Sequence, residues 1–245
     1  MAVQFPAQRL AKWIAQCGYC SRRAAERLIT EQRVLLNNQL AKHTDLVSTS
    51  DNICIDGVIL GAPAPLQYWL YHKPVGIDCN NRPTDPASLY QVLQRLPLRL
   101  FAVGRLDKDS SGLLLLTNDG ALSQQLMHPS FYHEKAYRVQ TDKPLQARHI
   151  EQLASGVSWQ LGTTQYHSRP CPVTQTAENM FDITLTQGLH RQIRYMCKAV
   201  GLHVISLQRY RIHTLLLGDL AAGEMRELTK DELDELFASG NQIKP

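Results

Sequence analysis

In Val103-Gly-Arg105-Leu-Asp107-Lys108-Asp109-Ser-Ser111-Gly112-Leu-Leu-Leu-Leu116-Thr-Asn118-Asp-Gly120, one carboxylate, Asp107, stands between the cations Arg105 and Lys108. Four leucines follow that belong only inside a folded core. A carboxylate held beside fixed cations and anchored on a buried strand is how a reactive acid is kept ionised and aimed. An Asp-Lys-Asp triplet is also ordinary turn chemistry. Calcium is the sharper competitor, because Asp107, Asp109, Ser111 and Gly112 fall at positions one, three, five and six of an EF-hand loop. Position twelve is then Asn118, which lacks the bidentate carboxylate that closes the coordination sphere. The leucines, moreover, read as a buried strand rather than the start of a helix. Calcium is rejected.

The chain of 245 residues suits one large domain, or a small one followed by a medium one. Its 44% hydrophobic content fills a core, and 20% charged residues argue against disorder. No positively charged lead and apolar run open the sequence, so no signal peptide is expected. No apolar stretch approaches the roughly 18 residues that cross a bilayer. The expectation is a soluble, cytoplasmic monomer. Six scattered cysteines suit reduced thiols. Cys17-Gly-Tyr-Cys20 has the spacing of a zinc or redox site, but no second such pair completes four thiolates and no strand precedes it, so structural thiols are expected.

The net charge of +4 is unevenly placed. The first 45 residues hold Arg9, Lys12, Arg22, Arg23, Arg27, Arg33 and Lys42 against Glu26, Glu31 and Asp45, which is the whole excess of the chain. A basic patch on a small N-terminal unit is the footprint of phosphate-backbone binding.

Leu10, Trp13, Ile14 and Cys17 form one helical face stopped by Gly18. Ser21 caps a second helix, with Ala24, Ala25, Leu28 and Ile29 inward and Arg22, Arg23 and Arg27 outward. A hairpin follows around Asn37-Asn38, and another strand pair around Asp56-Gly57. Gly61-Ala-Pro-Ala-Pro65 reads as a short linker. Beyond it, strands are expected at 67–72, 100–103, 113–117, 135–140, 180–185 and 203–207. Helices are expected at 121–127, 146–154 and 189–200, and Thr229-Lys-Asp-Glu232 caps a last one with Leu233, Leu236 and Phe237 facing the core. Strands and helices without strict alternation give an α+β class with a mixed or antiparallel sheet. The expected division is 1–61, a linker at 62–66, and 67–245.

Gly104-Arg105-Leu106-Asp107 followed by Ser111 to Gly120 resembles the signature of the RsuA-type family of RNA pseudouridine synthases. His72-Lys73-Pro74-Val75-Gly76 resembles that family's Asn-Lys-Pro-x-Gly segment, with His72 in place of Asn. Lys135-Ala136-Tyr137 resembles its Lys-x-Tyr segment. Gly188-Leu189-His190-Arg191-Gln192-Ile193-Arg194 resembles its third motif, and with Tyr195-Met196-Cys197 is most similar to the RluF-like branch. The four segments stand in family order, and the resemblance runs from about Arg9 to Phe237, nearly the whole chain. The resemblance implies an N-terminal alpha-L RNA-binding domain of the ribosomal protein S-four type, then a catalytic domain that isomerises uridine to pseudouridine in ribosomal RNA, of the large subunit in first place.

That reaction moves a glycosidic bond from uracil N1 to C5 without net redox change, so neither metal nor cofactor is expected. By the resemblance Asp107 is the carboxylate at the ribose, acting either as nucleophile or as base. Arg194 is its expected guanidinium partner, with Arg191 second. Arg191, Arg194 and Lys198 share one expected helical face, and from Ile183 to His213 there are five Lys/Arg and no acid. Tyr137 is implied as the floor of the base pocket; an alternating Lys-Ala-Tyr-Arg-Val strand alone reads as core packing. Arg105 is expected to fill the stack or grip phosphate around a flipped uridine, and Lys135 and Lys73 to touch substrate. Arg9, Lys12, Arg22, Arg23 and Arg27 are the expected RNA contacts, and His72 is expected to alter only local hydrogen bonding. A transfer-RNA substrate, and a non-catalytic RNA-binding or ribosome-assembly protein on the same fold, are the alternatives.

Overall fold

The computed structural model describes residues 7–128 and 132–240. The chain divides into two compact units: one runs up to Gln67 and takes in Gln94–Leu100, the other comprises Tyr68–Leu93 and the chain from Phe101 on. Gln94–Leu100, expected within the second domain, thus groups with the first.

The first unit contains β1 (Gln8–Arg9), α1 (Leu10–Gln16), α2 (Arg22–Thr30), β2 (Val34–Leu36), β3 (Gln39–Leu40), β4 (Leu46–Val47), β5 (Ile53–Ile55) and β6 (Val58–Ile59). Gly18 at φ +78 follows α1, where a left-handed residue ends a helix. Ser21 caps α2 by accepting from the Ala24 N–H at 3.1 Å. Asn37 and Asn38 turn β2 into β3 with φ of 50° and 67°, and Asp56 and Gly57 turn β5 into β6 with 51° and 83°. Two successive left-handed residues match the twist of the strands they join. The resulting sheet runs β3-β2-β5-β6. Leu10, Trp13 and Ile14 of α1, Ala25 and Ile29 of α2, and Val34, Ile53 and Ile55 of the sheet make one buried core. Cys17 and Cys20 pack against it as free thiols, and burial pushes the Cys17 thiol up to about 11.

The second unit contains β7 (Tyr68–Lys73), α3 (Leu89–Leu93), β8 (Phe101–Val103), β9 (Ser111–Thr117), α4 (Gly120–Met127), β10 (Lys135–Thr141), α5 (Ala147–Ser155), β11 (Ser158–Leu161), β12 (Thr164–His167), β13 (Val173–Ala177), β14 (Met180–Leu185), α6 (Gln192–Ala199), β15 (Val204–Ile212), β16 (Leu215–Leu216), β17 (Met225–Glu227) and α7 (Lys230–Gly240). Its main sheet runs β13-β14-β10-β15-β9-β7-β17, with β8 also on β9 and β16 on β15. Every pair is antiparallel except β15 with β9, so the α+β class with a mixed sheet holds.

Leu113 to Leu116 of β9 are wholly buried. Leu113 and Leu115 join a core with Leu70, Leu122, Leu126 and Leu236, while a second core forms around Val139, Phe181, Ile183, Ile193 and Met196. At its start β9 pairs with β15 through Gly112 and Arg209, and at its end with β8 through Leu115 to Thr117. The approach at Gly112 is close: its φ is +112°, and a Cβ there would lie 2.2 Å from the Arg209 carbonyl oxygen.

Several segments differ from the expected ones. Helix α6 starts at Gln192 rather than Leu189, because Arg191 adopts a left-handed φ of 50° and the Gln192 side chain accepts from the Leu189 N–H. Arg191 therefore leaves the helical face it was expected to share with Arg194 and Lys198. Strand β15 continues to Ile212, since polar residues in Gln208-Arg-Tyr-Arg211 hide a strand from a hydrophobic pattern. The capping box forms as expected, with Glu232 accepting from the Thr229 N–H at 2.8 Å and Thr229 from the Glu232 N–H at 3.2 Å. Phe237, expected in the core, is 43% exposed and packs edge-on against Tyr68.

Replacing Gly112 by alanine is expected to destabilise the second unit by about 3 kcal/mol, read from denaturant unfolding, because backbone and not a soft side chain meets the new methyl. Asn38→Gly, at a turn where glycine adopts the left-handed region without penalty, is expected to stabilise the chain by about 0.5 kcal/mol in the same measurement.

Candidate active site

The loop between β8 and β9 carries Arg105 to Ser110. Its turn is closed by the Ser110 N–H donating to the Asp107 carbonyl at 3.1 Å. The Gly76 N–H donates to the Lys108 carbonyl at 2.8 Å, and the Leu106 N–H to the Cys79 sulfur at 3.4 Å. Asp107 opens into a cleft of about 690 Å³ lined also by Arg105, Lys135, Tyr137, Arg191 and Arg209. Lys135 and Tyr137 alternate onto one face of β10, and Tyr137 stands opposite Arg209 of β15 in the antiparallel register.

The charges around the loop are arranged differently from the expectation. Asp109, not Asp107, receives both arginines. Arg191 donates to both oxygens of Asp109, Nη1 at 3.0 Å and Nη2 at 2.7 Å, and its Nη1 lies 3.8 Å from Asp107 Oδ2. Arg194 donates from Nη2 to the Asp109 carbonyl at 2.9 Å and from Nη1 to the Val204 carbonyl at 3.1 Å, with its Nε 3.4 Å from Asp109 Oδ2. The hydrogen bonds from Arg191 hold the Asp109 carboxyl below its ordinary range, Arg194 acting the same way against partial burial. Arg191 changes place for a backbone reason: its left-handed turn swings it off α6 and over the loop. Asp109 was visible in sequence only as half of an Asp-x-Asp turn. The signal that could have singled it out is the acid-free run from Ile183 to His213, whose cations need a counter-charge from elsewhere.

The remaining residues fall into three groups. Lys73 is wholly buried, donates to the Pro74 carbonyl at 2.9 Å and the Ile77 carbonyl at 2.7 Å, and lies apart from the cleft lining. His72 donates from Nδ1 to the Leu220 carbonyl at 2.7 Å and also lies outside the cleft. Arg9, Lys12, Arg22, Arg23 and Arg27 are all exposed on the first unit; Arg22 pairs with Glu26 one turn on, and Arg9 donates to the Thr44 carbonyl. Sequence reading missed Arg209, Arg169, Tyr132 and His190 in the cleft. The Arg169 guanidinium lies over the Tyr132 ring at 4.6 Å, a cationic and aromatic surface at the cleft.

A cleft that combines carboxylates, a tyrosine ring and several cations has the size and the groups to receive a flipped nucleotide. Comparison with known proteins gives the same direction. The RNA pseudouridylate synthase family model matches residues 67–199, and the S4 domain model residues 8–53. The dual-specificity RNA pseudouridine synthase RluF of Escherichia coli is 38% identical over 243 residues, covering 97% of this chain and 82% of that protein. Ribosomal large subunit pseudouridine synthase B of Bacillus subtilis is 33% identical, covering 97% and 98%. Ribosomal small subunit pseudouridine synthase A of Escherichia coli is 33% identical, covering 92% and 98%. A crystal structure of a pseudouridylate synthase superposes with a TM-score of 0.67 at 30% identity, covering 93% of this chain and 99% of that one. The chain is a member of the RsuA-type family of RNA pseudouridine synthases, an S4 domain joined to a catalytic domain.

Proposed function

We propose that this enzyme isomerises a uridine of ribosomal RNA, of the large subunit in first place, with Asp107 as the acid at the ribose. The observation that carries the assignment is Asp107 in the cleft beside Tyr137, on a loop braced by Asp109 against Arg191 and Arg194. The relatives named for ribosomal subunits support the substrate class, and the RluF-like third motif supports the large subunit.

In this reading the uridine leaves its stack and enters the cleft, which is least costly in a loop or unpaired segment. Arg105, exposed at the cleft, fills the space the uridine leaves or holds its phosphate. The uracil lies on Tyr137. The Asp107 carboxylate either attacks the anomeric carbon or takes the neighbouring sugar proton as the bond to N1 breaks. Arg191, fixed by its two bonds to Asp109, lies 3.8 Å from Asp107 without forming a tight pair that would have to break first. Arg194 ties the loop to α6 and β15, so its part is to hold Asp107 in place. The first unit supplies affinity through Arg9, Lys12, Arg22, Arg23 and Arg27.

Asp107→Asn is expected to lower tritium release from ribosomal RNA labelled at uracil C5 by about 1,000-fold or more, while RNA binding stays near wild type. Full activity in this variant would remove Asp107 from the mechanism, and release only from transfer RNA would move the substrate class. Changing Arg22, Arg23 and Arg27 together to alanine is expected to weaken RNA binding and flatten its salt dependence by about 0.7 in log–log slope for each lost phosphate contact. An unaltered slope would take these residues out of the interface.

A further inference from the structure

Arg209 is 2% exposed, yet it is a charged side chain with no counter-ion among the described residues. Its Nε donates to the Leu113 carbonyl at 2.9 Å and its Nη1 to the Arg105 carbonyl at 3.4 Å. Nη2 has no hydrogen-bond partner, and no carboxylate of the described residues lies within ion-pair distance of the guanidinium. Lys135, on the neighbouring strand, donates from its ammonium to the His133 carbonyl at 3.4 Å, its one hydrogen bond among the described residues. Burial lowers the pKa of that ammonium, and the charge of Arg209 pushes it the same way. Both cations line the cleft with Tyr137. Of the two acids in the lining, Asp78 is engaged by Asn80, and Asp107 has Arg191 as its nearest cation.

Two like charges held together in a half-buried wall are costly unless an anion joins them. A phosphate would be present throughout the bound state. The isomerisation also makes a transient anion. When C1′–N1 breaks, its electron pair leaves with the uracil and spreads over N1, O2 and O4. The pair returns to form C5–C1′, the C5 proton goes to solvent while N1 takes one up from it, and no net charge remains. Lys135 and Arg209 share the strand face of Tyr137, on the base side of the cleft, whereas Asp107 enters from the loop on the sugar side.

We propose that Lys135 and Arg209 form a cationic subsite for the uracil anion released in mid-reaction, an inference that rests on the isomerisation assigned above. Lys135 meets the uracil oxygens, and Arg209 is the positioning charge behind it, which also ties the two ends of the Asp107 loop. Preorganised charge of this kind acts on the bond-breaking step and not on binding.

The experiment compares two RNAs that carry uridine or 5-fluorouridine at the target position, under single turnover. Conversion is read as loss of the target nucleoside after nuclease digestion, because fluorine at C5 blocks only the last proton loss. Fluorouracil is the more acidic leaving group and carries negative charge with less help. Lys135→Met is expected to slow the uridine RNA by about 100-fold and the fluorouridine RNA by only about 10-fold, with RNA affinity unchanged. Lys135→Arg is expected to restore most of the rate. Arg209→Lys, which keeps the buried charge, is expected to show a smaller loss with the same dependence on the leaving group. Equal losses on both RNAs would overturn the subsite, as would a loss of affinity and salt dependence in place of rate, the mark of a phosphate contact. Absence of uridine conversion by the wild type would instead overturn the reaction itself.

Discussion

The contact on which the second unit turns is the parallel approach of β9 and β15 at Gly112 and Arg209. Strand β9 shares one edge between β15 at its start and β8 at its end, so the ladder is interrupted between them. The Arg209 guanidinium takes the Leu113 carbonyl at that interruption and the Arg105 carbonyl across the loop. A buried carbonyl left unpaired would cost roughly 1–3 kcal/mol, and an arginine reaches both from one strand. The backbone approach that brings it there leaves no room for a Cβ at Gly112.

From that contact the loop inherits its shape, and its electrostatics follow. Two adjacent acids have different duties. Asp109, 46% exposed in its side chain, holds the two arginines of the third motif. Asp107 has no close ion pair, its nearest guanidinium nitrogen being Arg191 Nη1 at 3.8 Å. Fully paired, Asp107 would have to give up a bidentate arginine before meeting a sugar. The neighbour that absorbs the arginines spares it that.

The first unit depends on a different balance. A small core leaves a limited apolar area to hold it, and the turn residues carry much of the specification through left-handed pairs at Asn37–Asn38 and Asp56–Gly57. The arginines of α2 then stand on the outward face by helical period, since Ala25 and Ile29 take the inward one.

The sequence by itself determined what short-range physics controls. Hydrophobic period, caps and turn residues located α1, α2, both small hairpins, β9, β14 and the capping box of α7, and the motif order located Asp107 and Tyr137 on their loop and strand. It did not reveal β15 beyond Leu207, where the polar run 208–211 breaks the hydrophobic pattern and Arg209 is buried at the cleft, nor the short polar strands β11, β12 and β13. Tertiary structure alone decided which acid meets which arginine. One left-handed residue, Arg191, and one turn, 107–110, redirect side chains that a regular helix would have aimed elsewhere. It also decided that Arg209 and Lys73 are buried, because burial of a charge depends on which carbonyls the folded backbone leaves unpaired. That is a property of strands distant in sequence, and no local pattern encodes it.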